Sequence, residues 1–144
     1  MYECVFCQII QKQLPASVVY EDEHVVAFLS NRPVNEGHTL VVPKKHHANI
    51  YELSEDETAY IFKIVKRIAH GVSDSVDAEG IRIVQNNGEA AGQVVFHLHV
   101  HVIPMKPQEG FSHGKAYRSP SNSRNSDELE MDAQKIRNFI QRTN

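Results

Sequence analysis

Val95-Phe96-His97-Leu98-His99-Val100-His101-Val102-Ile103-Pro104 is the stretch on which the reading of this chain turns. Its histidines recur at every second position, and Phe96, Leu98, Val100 and Val102 fill the gaps. That period predicts a β-strand over residues 95–104, with three imidazoles on one face and an apolar set on the other. Neighbouring imidazoles on such a face stand roughly 6 to 7 Å apart, which suits groups working along one extended ligand. Three chemistries fit the pattern. It can be a half-exposed polar face, a metal site in which His-x-His holds one ion, or a site of attack on phosphorus by neutral imidazole. Imidazole titrates near neutrality and so is available for the last role at cellular pH. The residues just upstream favour it: Gly88, Ala90, Ala91 and Gly92 leave backbone N–H groups accessible to an anion.

Outward from this stretch, Ile81 to Gln85 reads as a strand that pairs with the histidine strand across the small-residue connection of residues 86–93. His38 to Val42 is another strand, closed by Pro43 and followed by Lys44, Lys45, His46 and His47. Ser17 to Glu21 and His24 to Leu29 form a hairpin, and the Ser-Asn-Arg-Pro-Val-Asn-Glu-Gly stretch after it is loop. Phe6 to Ile10 makes a short helical turn that Leu14-Pro15 ends. Ser54 with Glu57 three residues on is a capping box, and Ile61, Ile64, Val65, Ile68 and Val72 then follow helical spacing to an end near Val72. After Pro104 the composition turns to Pro, Gly, Ser and Asn, so residues 106–125 are expected to be irregular. Ser126 caps a last helix with Leu129, Ala133, Ile136 and Ile140 on one face. The expected fold is α+β: a mostly antiparallel sheet of about five strands, one long packed helix and a C-terminal helix. Residues 1–104 form its core, and residues 105–144 add the irregular segment and last helix of the same domain.

With 144 residues, 41% hydrophobic and 23% charged, the chain has the make-up of one globular domain. A formal net charge of −3 without a Lys/Arg block disfavours binding to a nucleic acid duplex. The apolar stretches are only strand-length and the start lacks the pattern of a signal peptide, so we expect a soluble, cytoplasmic protein with no membrane partner. Cys4 and Cys7 are too few and too close for a disulfide framework, and they lack the strand-then-helix context of a redox motif. They are either free structural cysteines or a Cys-x-x-Cys knuckle that needs two further ligands to close a tetrahedral zinc site.

His97-Leu98-His99-Val100-His101-Val102-Ile103, preceded by Gly92-Gln93, resembles the signature of the histidine triad (HIT) hydrolases and transferases. The likeness extends upstream through residues 37–46 and 27–34 to the first hairpin and the cysteine pair, about the first three quarters of the chain. It implies a HIT-like fold and a small-molecule nucleotide substrate attacked at its α-phosphorus. His99 would be the nucleophile that forms a nucleotidyl-histidine intermediate. His101 would bind a phosphate oxygen or the leaving group, and Asn86 would contact the phosphate region. The amides of Val94 and Val95, beside Gly92 and Gln93, would cradle the phosphate. The resemblance further implies a structural zinc on Cys4, Cys7, His46 and His97, with His47 as the competing ligand, and a homodimer with the long helix near the contact. His24, His38, His70 and His113 are read as core or surface residues. Two positions depart from the family pattern. Val94 stands where many relatives carry Ser or Thr near the leaving group, and Ser30 and Asn31 stand where many place an acid on the ribose. The leading expectation is an enzyme releasing AMP or GMP from phosphoramidates, dinucleoside polyphosphates or adenylylated groups. A low-turnover nucleotide-binding signalling or scaffold protein, and a metallohydrolase using all three histidines on a metal, are the alternatives.

Overall fold

The computed structural model describes residues 4–107, 111–112, 115–116 and 123–143. In chain order these form α1 (Val5–Ile10), β1 (Val18–Glu21), β2 (Val25–Leu29), β3 (Thr39–Pro43), α2 (Glu55–Val76), β4 (Gly80–Val84), β5 (Val100–Met105), β6 (Phe111–Ser112), β7 (Lys115–Ala116) and α3 (Ser126–Thr143). Five strands pair antiparallel in the order β1-β2-β3-β5-β4, and β6 and β7 pair with each other. This is the expected α+β arrangement. Much of the segment from Lys106 to Asn125, His113 included, lies outside the described residues.

The sheet divides two apolar layers. On one face Val25, Ala27, Val41, Val100 and Val102 meet Ile61, Ile64, Val65, Ile68 and Val72 of α2. Each of the valine and isoleucine side chains contributes roughly 1.5 to 3 kcal/mol by leaving water. α3 completes that layer with Ala133, Ile136 and Ile140. On the other face Val26, Phe28, Leu40 and Val42 pack on Cys4 and Phe6 of the N-terminal segment. The alternation of β2 and β3 between the faces is the ordinary period of a strand, and both strands are buried throughout because both faces are covered.

α2 begins as the sequence requires. Ser54 Oγ accepts the Glu57 N–H at 3.0 Å and Glu57 Oε1 accepts the Ser54 N–H at 2.8 Å. The Ser54 N–H, then the bond to His47, holds the Glu57 carboxyl down at about 2. The helix runs four residues past Val72 to Val76 and stops on Asp77 in the left-handed region, φ 51°. Ser73, Asp74 and Ser75 carry no apolar signal, yet Ser75 is buried with its hydroxyl on the Val72 carbonyl, so the polar stretch stays helical. The hairpin β1–β2 is tied to α2 at Asp22. Its carboxylate accepts the phenolic O–H groups of Tyr20 and Tyr60 and the backbone N–H groups of His24 and Val25.

One stop signal and two boundaries differ from the sequence expectation. α1 ends at Ile10 as expected, but what stops it is Gln11 at the cap and Lys12, which turns the chain at φ 64°, ahead of Leu14-Pro15. Asn125 rather than Ser126 caps α3: its Oδ1 accepts the Glu128 N–H at 2.8 Å and its N–H donates to Glu128 Oε1 at 3.0 Å. The third concerns the histidine strand. Regular pairing starts only at Val100, opposite Val41, so residues 95–99 precede β5. The alternation survives in burial, with Leu98 1% exposed and Val100 and Val102 fully buried, but Phe96 is 42% exposed and has left the core.

α2 and α3 approach closely at Gly71, where a Cβ would stand 2.4 Å from Cγ1 of Ile140. Gly71→Ala should therefore destabilise the protein by about 1 to 3 kcal/mol through overpacking, read as a lower urea midpoint with an unchanged slope.

Candidate functional site

The N-terminal segment, the chain after β3 and the residues before β5 meet at one point. Cys4 Sγ lies 3.3 Å from His97 Nδ1, and Cys7 Sγ lies 3.3 Å from His46 Nδ1 and 3.5 Å from His97 Nδ1. All four ligand atoms are within 4.8 Å of one another. Metal–ligand bonds of about 2.0 to 2.3 Å in a tetrahedron give edges of roughly 3.3 to 3.8 Å, so this donor set can hold one ion. His97 supplies a further test of fit. Its Nε2 donates to the Pro43 carbonyl at 2.8 Å, which leaves the Nδ1 lone pair facing the sulfurs. Burial, then the neighbouring histidines, outweighs that bond and lowers His97 to about 4, so the ring is neutral. Burial, then Cys4, pushes the Cys7 thiol up to about 11, and a cation among these ligands is what would favour the thiolate. His47 does not join the cluster. Its Nε2 pairs with Glu57 Oε2 at 3.0 Å.

The next two histidines have fixed tautomers. His99 Nδ1 is 2.8 Å from the His97 carbonyl, an obligate acceptor, so Nδ1 carries the proton and Nε2 carries the lone pair. Burial lowers its pKa below the ordinary histidine value. Phe6 packs edge-on against the ring at 5.0 Å between centroids, and the His101 ring also lies 5.0 Å away. His101 is oriented by His38. The Val34 N–H donates to His38 Nδ1 at 3.0 Å, which leaves the His38 proton on Nε2, 3.0 Å from His101 Nδ1. His101 Nδ1 therefore accepts, and its own proton sits on Nε2. A lone pair on His99 Nε2 beside an N–H on His101 Nε2 is an arrangement for nucleophilic attack with a neighbouring donor.

His38 is a core residue, as expected, but nothing in the amino-acid order signals its bond to His101. It is 2% exposed, and its meeting with His101 follows from the pairing of β3 with β5, in which Leu40 stands opposite His101. Only that register would have revealed it.

The remaining candidates lie on two loops, one after β2 and one between β4 and β5. Ser30, at the end of β2, donates its N–H to the His38 carbonyl at 2.9 Å, while its hydroxyl accepts the Arg32 N–H. Asn31 beside it is exposed. Gly88 and Gly92 bracket a 3-10 turn (Glu89–Ala91) with φ of 95° at both, a backbone that only glycine adopts without strain. Asn86 reaches this turn: its Nδ2 is 3.8 Å from where a Gly92 Cβ would stand. Val94 is 85% exposed. Gln93 is only 3% exposed and its amide is spent on the backbone, accepting from Gly88 N–H at 2.8 Å and donating to Ala48 and Val95 carbonyls at 2.6 and 3.1 Å. It shapes the loop. A cavity of about 440 Å³ lined by His24, Val25, Pro43, Leu53, Tyr60 and Ile61 opens instead on the α2 face of the sheet, away from His99 and His101.

An antiparallel five-stranded sheet, a pair of imidazoles with fixed tautomers and a Cys₂His₂ cluster together define the class of α+β protein to which this chain is compared. Residues 11–108 match the family model of the HIT domain, and the chain belongs to that family. It is 48% identical over 101 residues to the Hit protein of Bacillus subtilis, covering 70% of each chain. A hypothetical histidine triad nucleotide-binding protein of Sulfolobus tokodaii superposes with a TM-score of 0.86 at 41% identity, covering 96% of this chain and 93% of that one. A zinc-bound histidine triad family protein of Mycobacterium smegmatis gives a TM-score of 0.84 at 32% identity, covering 98% and 95%. Two relatives carry names of activities. One is an adenosine 5'-monophosphoramidase of Schizosaccharomyces pombe, 38% identical over 81% of this chain and 84% of its own. The other is an adenylylsulfatase of Arabidopsis thaliana, 31% identical over 97% and 68%. Among the described residues no helix is long and apolar enough to cross a membrane.

Because Gln93 satisfies three backbone groups from a buried position, Gln93→Ala should cost about 1 to 3 kcal/mol of stability, measurable by urea unfolding.

Proposed function

We propose that this protein hydrolyses adenosine or guanosine monophosphate conjugates, namely phosphoramidates, dinucleoside polyphosphates or adenylylated groups, through a nucleotidyl-histidine intermediate. The observation that carries the reading is the His99 tautomer, which the His97 carbonyl sets at 2.8 Å. His99 Nε2 attacks the α-phosphorus, the Nε2–P bond forms, and the bond to the leaving group breaks. His101 Nε2–H hydrogen-bonds the departing atom, which takes its proton from solvent as the bond breaks. Water then attacks phosphorus, its proton passing to solvent, and the P–Nε2 bond breaks to release the monophosphate. Backbone N–H groups of Val94 and Val95, with Gly92 and Asn86, stabilise the oxygens where charge develops. Ser30 and Asn31 bind the ribose through neutral hydrogen bonds. The named activities of the two relatives, on a phosphoramidate and on an adenylylated sulfate, support this substrate class.

The metal we assign to Cys4, Cys7, His46 and His97 is zinc. Four protein ligands leave no open position, so it stabilises the fold and takes no part in the bond changes. Free thiols kept as ligands suit a reducing compartment, and we place the protein in the cytoplasm. β4 is an edge strand with Ile83 39% exposed, and Phe62 on the adjacent layer is 41% exposed. A second copy along this edge is the homodimer we expect, and it should elute at twice the monomer mass.

Incubation with an adenosine phosphoramidate should release AMP, and His99→Ala should cut the rate by about 1,000-fold or more. Undiminished release by that variant rules the mechanism out. Val94 offers no hydroxyl to a leaving group, which favours a second reading as a low-turnover nucleotide binder. Tight AMP binding with negligible turnover on anhydrides, esters and amidates alike would establish it. Metal analysis should find one zinc per chain, lost on Cys4→Ser and retained on His99→Ala.

A further inference from the structure

Between Gly92 and the start of β5 the chain has no strand partner, and among the described residues the backbone is joined to the rest of the molecule by few bonds. The Leu98 N–H donates to the His47 carbonyl at 2.7 Å, and the His97 side chain donates to the Pro43 carbonyl at 2.8 Å. Both acceptors belong to residues 43–47. Leu98 is the residue between His97, whose carbonyl orients His99, and His99 itself. Whatever holds the His47 backbone therefore holds the nucleophile.

The side chain of His47 is 6% exposed on the whole residue, and its Nε2 lies 3.0 Å from Glu57 Oε2 in the first turn of α2. The two oxygens of Glu57 have separate tasks. Oε1 closes the capping box on the Ser54 N–H, and Oε2 takes His47. The helix cap accordingly needs only one of them. The other serves no need of the helix, and its sole described partner is the residue that grips Leu98.

We propose that His47 and Glu57 form a strut that positions His99, transmitting the rigidity of α2 through the His47 carbonyl to the backbone at Leu98. They are positioning residues, since neither reaches the reacting atoms. Displacement of a nucleophile by a fraction of an ångström costs rate far more than affinity, because in-line attack depends on approach geometry. Loss of the strut should thus appear in kcat and leave KM in place. The proposal rests on the nucleophile role given to His99 above.

The test compares Glu57→Ala with Ser54→Ala in the full-length, metal-containing protein. Ser54→Ala removes the hydroxyl that caps α2 and leaves the His47 bond intact, so it controls for helix stability. Each variant should lower the Tm by several degrees. Only Glu57→Ala should lower kcat for AMP release, by about 10-fold or more, with KM within about 2-fold of the parent. Only Glu57→Ala should replace the single Nδ1–H tautomer of His99 by a mixture in ¹⁵N spectra of the histidine side chains. Glu57→Gln keeps one carbonyl oxygen as an acceptor and should recover part of the rate. An unchanged kcat and tautomer in Glu57→Ala, or an equal loss of both in Ser54→Ala, overturns the strut. If the parent protein releases no AMP, the proposed activity fails while the tautomer measurement still decides this inference.

Discussion

The arrangement depends on His97, which bonds in three directions at once. Its Nε2–H is fixed on the Pro43 carbonyl, its Nδ1 faces Cys4 and Cys7, and its own carbonyl takes the Nδ1–H of His99. One fully buried residue therefore joins the end of β3, the N-terminal segment and the His99 imidazole. The constraint is one of tautomers. An imidazole that must donate at Nε2 can only accept or ligate at Nδ1, and so the side chain has a single solution.

The sheet makes this economy possible by separating chemistry from stability. Its α2 face is a closed aliphatic layer, while its other face carries Phe6, the cysteines and the three histidines. Phe6 serves both purposes, packing on Phe28 at 5.5 Å and against His99 at 5.0 Å between ring centroids. It keeps one flank of the His99 ring dry, consistent with the burial that lowers the His99 pKa.

How much of this the amino acid order discloses depends on the range of the interaction. The His-x-His-x-His period, the Cys-x-x-Cys pair and the Ser54–Glu57 box are local chemistry, and all three are legible. The assignment of His46 over His47 to the cluster came from family resemblance, and the geometry agrees. What was not legible required knowledge of partners. The strand begins at Val100 and not Val95 because β3 ends at Pro43, which has no N–H to offer, and the chain beyond it turns toward the cluster. His38 looks like any polar residue at a strand start until the register sets it beside His101. Gln93 sits at the position of a ligand contact in the motif, yet its amide is buried against three backbone groups. Ser73 to Ser75 hide the end of α2 because they carry no apolar signal, and the burial of Ser75 is set by neighbours and not by period.

The contact of Gly71 with Ile140 bears on what this chain needs in order to fold. The HIT family model matches only as far as residue 108, but the apolar layer over α2 closes only with Ala133, Ile136 and Ile140, each at most 3% exposed. Cut at residue 108, the chain would bare the face of α2 that those residues cover. The stretch that carries the family signature and the unit of folding are different lengths of the same polypeptide, and the last helix belongs to the second.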